Sequence, residues 1–295
     1  MFTMEGIYAP IPTPFVDPDG DIAWDKLEAN MAFWTASSLD GIVVMGSNGE
    51  FVVLNPAEKV ELIKRVCALA KGKKRVMAGC GCESTRDTIA LCREAAKAGA
   101  DAALVLNPNY YKRAMTDAVI AAFYKDVAEA SPIPVVLYNM PGNSGVNLSS
   151  SLVASLAPHP NIIGVKDSGG NIVQITEIIR DTPADFAVFA GSASFLYPTI
   201  ALGGVGGTLA LANILPEECC RLWQLARGGK HAEASQLQKK LLAANNAVTA
   251  RWGIAGLKAA MESIGLFGGA PRKPLLSLQD SERAELVKTL DAARR

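Results

Sequence analysis

The feature that most constrains the fold of this 295-residue chain is a series of eight short apolar runs that alternate with helical patterns. Each run is rich in β-branched residues and is bounded by Gly, Asp or Pro, as is typical of buried parallel strands. The runs recur at spacings of roughly 20 to 35 residues, which leaves room for one helix between consecutive strands. The predicted strands are 6–9, 41–45, 75–80, 102–106, 134–139, 162–167, 186–191 and 206–213.

Helix start and stop signals separate these runs. Asn55, Pro56 and Glu58 form the pattern of an N-cap, a proline in the first turn and a capping-box glutamate. Ser84 predicts another helix start, and Gly99 predicts the stop of that helix. Thr116 or Asp117 and the run 149–151 give further starts, and the predicted helices are 60–70, 89–98, 118–130 and one that ends at 156.

Eight strands that alternate with helices predict the α/β class and a (β/α)₈ TIM barrel over residues 1–215. Residues 216–295 show helical periods without a strand signal, so we expect a C-terminal helical extension with helices 217–227, 231–248, 254–263 and 281–293. The alternative is an open doubly wound sheet. It is weakened because no G-x-G-x-x-G fingerprint follows the first strand.

The charge balance argues against nucleic acid or an anionic membrane as the main partner. Lys and Arg number 29, and so do Asp and Glu, whereas both partners need a basic surface. No apolar run approaches the roughly 20 residues that span a bilayer, and residues 1–12 lack the pattern of a signal peptide. We therefore expect a soluble, cytoplasmic protein.

Two residue types that often carry chemistry are scarce or unfavourably spaced. The only histidines, His159 and His231, lie far apart, which removes the commonest general base and metal ligand. Cys80-Gly81-Cys82 has no second half at ligand spacing, and no pair forms C-x-x-C. The interpretation is that all six cysteines are reduced, buried thiols: Cys67, Cys80, Cys82, Cys92, Cys219 and Cys220.

Polar residues follow the predicted strands where an active site of this fold would lie. The functional rim of a TIM barrel is built from the carboxyl ends of the strands and the loops after them. We expect these residues to share one rim. They are Ser47 and Asn48 after strand 2, Tyr110 and Tyr111 after strand 4, Tyr138 in strand 5, Asn143 after it, Lys166 and Ser168 at strand 6, and Gly191 at strand 7.

Lys166 is the most informative of these residues, because it follows an apolar strand. Burial disfavours an ammonium group, and a neutral amine can attack a carbonyl to form a Schiff base. The alternative is a structural lysine, ion-paired with Asp167 for instance. Tyr138 can carry protons in place of histidine, or merely hydrogen-bond to a core neighbour. Ser47 and Asn48 can bind a carboxylate, or serve ordinary turn chemistry.

Four motifs, in family order and spread over almost the whole chain, resemble the dihydrodipicolinate synthase / N-acetylneuraminate lyase superfamily of class I aldolases. They are Gly46-Ser47-Asn48-Gly49-Glu50, Tyr110-Tyr111, the segment 136–141 and Gly164-Val165-Lys166-Asp167. The resemblance implies a TIM barrel, a homotetramer of two tight dimers, and no metal or organic cofactor. It also implies that Lys166 forms a Schiff base with pyruvate or another 2-oxo acid and that Tyr138 transfers protons. Ser47 and Asn48 would bind the pyruvyl carboxylate, and Tyr111 would complete a proton relay across the dimer interface.

Departures from the synthase pattern favour another branch of this superfamily. Dedicated synthases carry an arginine after strand 5 that binds the carboxylate of aspartate semialdehyde, and Asn143 stands at that position. The positions that bind allosteric lysine in regulated synthases are changed to Phe51, Pro56 and Lys59. Stretches that resemble 4-hydroxy-2-oxoglutarate aldolases of the mitochondrial type are 81–85, 159–162, 166–170 and 246–249. By that resemblance Ser168 positions the distal carboxyl or hydroxyl of the substrate, and Asn143 and Gly191 are further substrate-binding residues.

The predicted function is a Schiff-base-forming aldolase that cleaves 4-hydroxy-2-oxoglutarate, or a similar 4-hydroxy-2-oxo acid, to pyruvate and an aldehyde such as glyoxylate. One alternative is condensation of pyruvate with aspartate semialdehyde, and Asn143 is the feature against it. The other alternative is a noncatalytic barrel that binds 2-oxo acids. The presence of both Lys166 and Tyr138 speaks against that alternative, because binding alone needs neither.

Overall fold

Eight parallel strands close into one barrel in the order of the sequence, β1 to β8, in a computed structural model that describes residues 4–294. Each strand pairs with the next along the chain, and β8 returns to pair with β1. The observed class is therefore the predicted TIM barrel. The strands are β1 Gly6–Pro10, β2 Gly41–Val44, β3 Arg75–Gly79, β4 Ala102–Leu106, β5 Val135–Asn139, β6 Ile162–Asp167, β7 Ala187–Ala190 and β8 Gly206–Thr208.

Helices surround the barrel and continue beyond its last strand. Those between strands are α1 Trp24–Ala36, α2 Pro56–Ala70, α3 Thr85–Ala98, α4 Asp117–Ala130, α5 Pro141–Ser144, α6 Ser150–Leu156, α7 Ile172–Asp181 and α8 Leu196–Ala201. After β8 come α9 Pro216–Arg227, α10 His231–Asn246, α11 Gly253–Glu262 and α12 Asp280–Arg294. Within the described residues, no helix is both long enough and apolar enough to cross a membrane.

The predicted helix caps are confirmed. Asn55 and Glu58 exchange hydrogen bonds between side chain and backbone, at 3.0 and 2.9 Å, as a capping box requires. Ser84 accepts a hydrogen bond from the Asp87 N–H, and Thr116 caps α4. Gly99 ends α3 in the left-handed conformation, with φ 90°.

Five predicted strands are longer than the observed ones, namely those at 41–45, 75–80, 134–139, 186–191 and 206–213, and two of them have a clear local reason. β2 ends at Val44 rather than at residue 45, because Met45 has φ 59°, outside the strand region. β8 ends at Thr208 rather than at 213, because Ala210–Asn213 turns into a short 3₁₀ helix. Asn213 stabilises that turn through hydrogen bonds from Nδ2 to the carbonyls of Pro10 and Ala210, both 3.0 Å.

Helix α1 was not singled out from the sequence, for two physical reasons. Its N-cap, Ala23, makes no side-chain capping bond, so the usual start signal is missing. Asn30 also interrupts its buried stripe, and this amide exchanges hydrogen bonds of 2.8 and 3.0 Å with the backbone of Phe267.

The helices after β8 pack against the barrel. Trp223 of α9 donates to the carbonyl of Val205 at 3.0 Å, and Gln238 of α10 donates to that of Ala193 at 2.7 Å. The predicted helix 231–248 stops at Asn246, and the chain continues as a π-helical turn, Ala247–Arg251. The division of the chain into domains at residue 215 stays a prediction.

All six cysteines are free thiols. Five of them are buried, as predicted, but Cys82 is only partly buried, so the prediction is wrong at that position. Burial raises the pKa of Cys67 to about 12. A thiol with so high a pKa is protonated at neutral pH and behaves as a small apolar side chain.

We expect Asn55→Ala to lower the free energy of unfolding by about 1 kcal/mol, because the substitution removes the capping box of α2. Urea denaturation followed by circular dichroism measures the change. Asn246→Ala is the control, because that asparagine is exposed at the end of α10. Equal stability of Asn55→Ala and the unsubstituted protein would contradict the stabilising role of the cap.

Candidate active site

The pairing of β5 with β6 brings Lys166 and Tyr138 together at the carboxyl end of the barrel. The two residues are in register on adjacent strands, so their side chains project to the same face of the sheet. The Lys166 Nζ lies 4.0 Å from the centroid of the Tyr138 ring. Each residue is only 4% exposed. The structure thus places an amine and a phenol side by side in a site nearly closed to water.

The Tyr138 hydroxyl also contacts Ser47, in the turn after β2. It lies 3.1 Å from the Ser47 Oγ, and either oxygen can be the donor. Burial raises the pKa of Tyr138, but the Lys166 ammonium and hydrogen bonds with Ser47, Lys166 and Ser168 outweigh burial, so the pKa lies below the usual tyrosine value. A phenol with a lowered pKa exchanges its proton more readily.

Ser168 completes this hydrogen-bonded group, and Gly191 leaves the space for it. The Ser168 side chain is close enough to the Tyr138 hydroxyl to help lower its pKa. Its backbone N–H donates to the Asn139 carbonyl at 2.8 Å, which fixes the start of the loop after β6. A Cβ on Gly191 would stand 1.9 Å from the Ser168 Oγ, so any larger residue would displace that hydroxyl. The loop after β7 therefore controls the position of a side chain that contacts Tyr138.

Asp167 is held by four donors and makes no ion pair with Lys166. Its Oδ1 accepts from the N–H groups of Gly169 and Gly170, at 2.9 and 3.3 Å. Its Oδ2 accepts from Asn139 Nδ2 and Gln174 Nε2, at 2.8 and 3.1 Å. Because side chains alternate along a strand, Asp167 projects away from the barrel interior that Lys166 faces. The structural alternative of a Lys166–Asp167 ion pair is therefore wrong.

Ser47 and Asn48 belong to a tight turn with an unpaired amide. Ser47–Gly49 is one turn of 3₁₀ helix, held on its far side by a 2.6 Å hydrogen bond from Thr13 Oγ1 to the Gly49 carbonyl. The Asn48 Nδ2 is buried and donates to no group that the structure describes. A buried amide without an acceptor is costly unless a ligand or water accepts from it. The turn therefore offers a free donor beside the Tyr138–Ser47 contact.

Asn143 and Tyr111 lie outside this cluster. Asn143 is exposed in the short helix α5, and it lines a groove of about 1080 Å³ together with Ser47. The lining of that groove includes neither Tyr138 nor Lys166. Tyr111 is 72% exposed and packs edge to face on Tyr110, with 5.1 Å between ring centroids. Within residues 4–294, no hydrogen bond joins Tyr111 to Ser47 or Tyr138.

Two residues that support the site were missed by the sequence analysis. Gln174 of α7 binds the Asp167 carboxylate, and Asn245 of α10 donates to the hydroxyls of Ser192 and Ser194, at 3.0 and 2.6 Å. No local pattern signals them, because each is a buried polar residue on an otherwise amphipathic helix.

Among residues 4–294, no three His, Cys, Asp or Glu side chains group in a way that could hold a metal ion.

Comparison with known proteins gives consistent relatives over the full length. A probable mitochondrial 4-hydroxy-2-oxoglutarate aldolase of Emericella nidulans is 38% identical, over 95% of this chain and 92% of its own. The L-threo-3-deoxy-hexylosonate aldolase of Hypocrea jecorina is 37% identical, over 97% and 98%. The 4-hydroxy-tetrahydrodipicolinate synthase of Methanoculleus marisnigri is 35% identical, with the same coverage.

Solved structures agree with this grouping. The dihydrodipicolinate synthase of Acinetobacter baumannii, solved with pyruvate, superposes with a TM-score of 0.94 at 31% identity, covering 99% of both chains. YagE of E. coli K12, also solved with pyruvate, gives a TM-score of 0.92 at 28% identity and the same coverage. The model of the dihydrodipicolinate synthetase family matches residues 3–293. This chain is therefore a class I aldolase, a carbon–carbon lyase, and belongs to the dihydrodipicolinate synthetase family.

Proposed function

We propose that this enzyme cleaves 4-hydroxy-2-oxoglutarate, or a similar 4-hydroxy-2-oxo acid, to pyruvate and an aldehyde such as glyoxylate. The observation that carries the proposal is the buried contact of Lys166 with Tyr138, whose hydroxyl is 3.1 Å from that of Ser47. An amine next to a proton-transferring phenol supplies both parts of a Schiff-base aldol cleavage.

The first half of the reaction is formation of the imine. Lys166, in its neutral form, attacks C2 of the substrate and forms a carbinolamine. Tyr138 gives its proton to the departing hydroxyl, so that water leaves and a protonated imine remains. The positive charge of the protonated imine and the hydrogen bond with Ser47 stabilise the phenolate left behind. Ser47 and the free amide of Asn48 bind the C1 carboxylate.

The second half is cleavage of the C3–C4 bond. The Tyr138 phenolate takes the proton of the C4 hydroxyl, and the bonding electrons move into the imine to give an enamine and glyoxylate. Tyr138 returns the proton to C3 of the enamine, and water hydrolyses the resulting protonated imine to pyruvate and free Lys166. Ser168, next to Tyr138, holds the distal part of the substrate. Gly191 leaves the space for Ser168, and Asn143 contacts the distal part of the substrate from the groove that it lines together with Ser47.

Tyr111 is assigned to the proton relay through a second copy of this chain. Its 72% exposure leaves the ring free to enter the site of a partner subunit. The proposed assembly is a homotetramer of two tight dimers, in which each dimer exchanges this tyrosine.

Condensation of pyruvate with aspartate semialdehyde is the second candidate function. Several relatives that are 34 to 36% identical to this chain are 4-hydroxy-tetrahydrodipicolinate synthases, which favours it. Asn143 counts against it, because a neutral amide replaces the arginine expected to bind the carboxylate of the semialdehyde.

Incubation with pyruvate and borohydride is expected to add one reduced pyruvyl group to Lys166, because reduction traps the imine. Peptide mapping by mass spectrometry locates the adduct. Lys166→Ala should abolish labelling and activity. Lys74→Ala is the control, since Lys74 precedes β3 at the opposite end of the barrel. An adduct on another lysine, or none, would refute the mechanism.

The Tyr138 phenolate is expected to form below pH of about 10, the usual tyrosine pKa. The difference in ultraviolet absorbance between the unsubstituted protein and Tyr138→Phe during a pH titration isolates this residue. In Lys166→Met the midpoint should move up, because burial then acts without the opposing ammonium. Tyr124→Phe is the control. Burial raises the pKa of Tyr124, so removing this tyrosine should leave the absorbance change below pH of about 10 unaltered. A Tyr138 midpoint that Lys166→Met leaves unchanged would disprove the electrostatic coupling.

Turnover assays separate the two candidate substrates. We expect a higher kcat/KM for cleavage of 4-hydroxy-2-oxoglutarate than for condensation with aspartate semialdehyde, because no arginine stands at 143. Asn143→Arg should raise the semialdehyde reaction by supplying the missing cation, and Asn143→Gln is its neutral control. Preference of the unsubstituted enzyme for the semialdehyde would overturn the assignment.

A further inference from the structure

Glu50 has an unusual backbone conformation directly after the turn Ser47–Gly49, which we call the substrate turn because Ser47 and Asn48 are proposed to bind the substrate carboxylate. Its φ of 56° and ψ of 34° are left-handed, a region that glycine adopts readily and residues with a Cβ do not. Its N–H donates to the Ser47 carbonyl at 3.1 Å, so Glu50 closes the turn that contains Ser47 and Asn48. A residue with a side chain stays in this region only where its surroundings hold it.

Helix α11 and the segment between α11 and α12 supply the groups that hold Glu50. The Lys258 Nζ, on α11, lies 2.7 Å from the Glu50 Oε1, and both side chains are 1% exposed. The backbone N–H of Arg272 donates to the other carboxylate oxygen at 2.8 Å. Lys258 also donates to the Ala270 carbonyl at 3.0 Å, which ties the Arg272 segment to α11.

Arg272 also binds the segment that follows the turn. Its guanidinium donates to the Val53 carbonyl at 3.1 Å and to both oxygens of Glu58, at 2.9 and 2.7 Å. Phe15, in the loop after β1, makes cation–π contacts with two cations. Its ring centroid lies 4.5 Å from the Lys258 Nζ and 4.2 Å from the Arg272 Cζ. The turn is therefore enclosed by groups from a distant part of the sequence.

We propose that Glu50 and Lys258 are positioning residues, whose buried ion pair keeps the turn in the geometry in which Ser47 and Asn48 bind the substrate carboxylate. This inference rests on the proposed function, because it assigns that carboxylate to Ser47 and Asn48. Removing two charges from water is costly, and an apolar pair of similar volume often stabilises a fold as well. We therefore assign the ion pair a conformational role. It holds Glu50 in the left-handed conformation, which an apolar pair without directional contacts would not do.

The test compares two double variants, Lys258→Met with Glu50→Gly and Lys258→Met with Glu50→Ala. Both lack the ion pair and leave no buried charge unpaired, and they differ only in the Cβ at position 50. Borohydride trapping of pyruvate on Lys166 measures the pyruvate concentration for half-maximal labelling and the maximal labelled fraction. Glu285→Gln is the control, because its partner Arg251 also lies in the C-terminal helices but away from the turn. Thermal melting reports folding separately.

The alanine variant should need about tenfold more pyruvate for half-maximal labelling than the glycine variant. The left-handed conformation has a free-energy cost for a residue with a Cβ, and that cost corresponds to about a tenfold change in affinity. The maximal labelled fraction should stay unchanged in both, and the control should match the unsubstituted enzyme. Equal half-saturation in the two folded double variants would overturn the positioning role. Failure of the unsubstituted enzyme to be labelled at Lys166 would instead refute the proposed function, so the two failures are distinguishable.

Discussion

Parallel pairing of β5 with β6 sets Tyr138 opposite Lys166 inside the barrel and Asn139 opposite Asp167 on the other face of the same strands. The inner pair forms the candidate site. The outer pair, joined by a 2.8 Å hydrogen bond, fixes the strand ends and the loop that carries Ser168. A shift of one residue in this register would exchange the two pairs between faces. The chemistry of the site therefore depends on one strand-to-strand alignment.

The electrostatics of the site follow from the burial of Lys166, which forms no salt bridge with any carboxylate of residues 4–294. Asp167, the nearest acid in the sequence, is occupied by amide and backbone donors. The Lys166 charge therefore acts mainly on its aromatic neighbour, where it contributes to the lowered pKa of Tyr138. In a poorly hydrated site such an interaction is stronger than in water. Tyr138 is thus in an environment that suits proton transfer, a task that many enzymes assign to histidine.

The helices after β8 do more than cover the barrel. Lys258 and Arg272 reach the substrate turn from one side, and Asn245 binds the hydroxyls of the loop after β7 from another. These contacts connect the C-terminal helices to two loops of the carboxyl-end rim. The proposed positioning role of Glu50 and Lys258 is a consequence of this arrangement. It gives the extension a part in substrate binding as well as in stability.

Local patterns in the sequence determined the barrel class, the caps at Asn55 and Ser84, and the common rim of Lys166, Tyr138 and Ser47. Strand periodicity and capping act over a few residues, and the carboxyl ends of parallel strands necessarily meet at one edge. Tertiary structure alone decided the early end of β8, the four donors on Asp167 and the buried contact of Glu50 with Lys258. Each depends on a contact between residues far apart in the chain: Asn213 with Pro10, Asn139 with Asp167, and Glu50 with Lys258. Their partners are set by how whole helices and strands pack, and no short pattern encodes that packing.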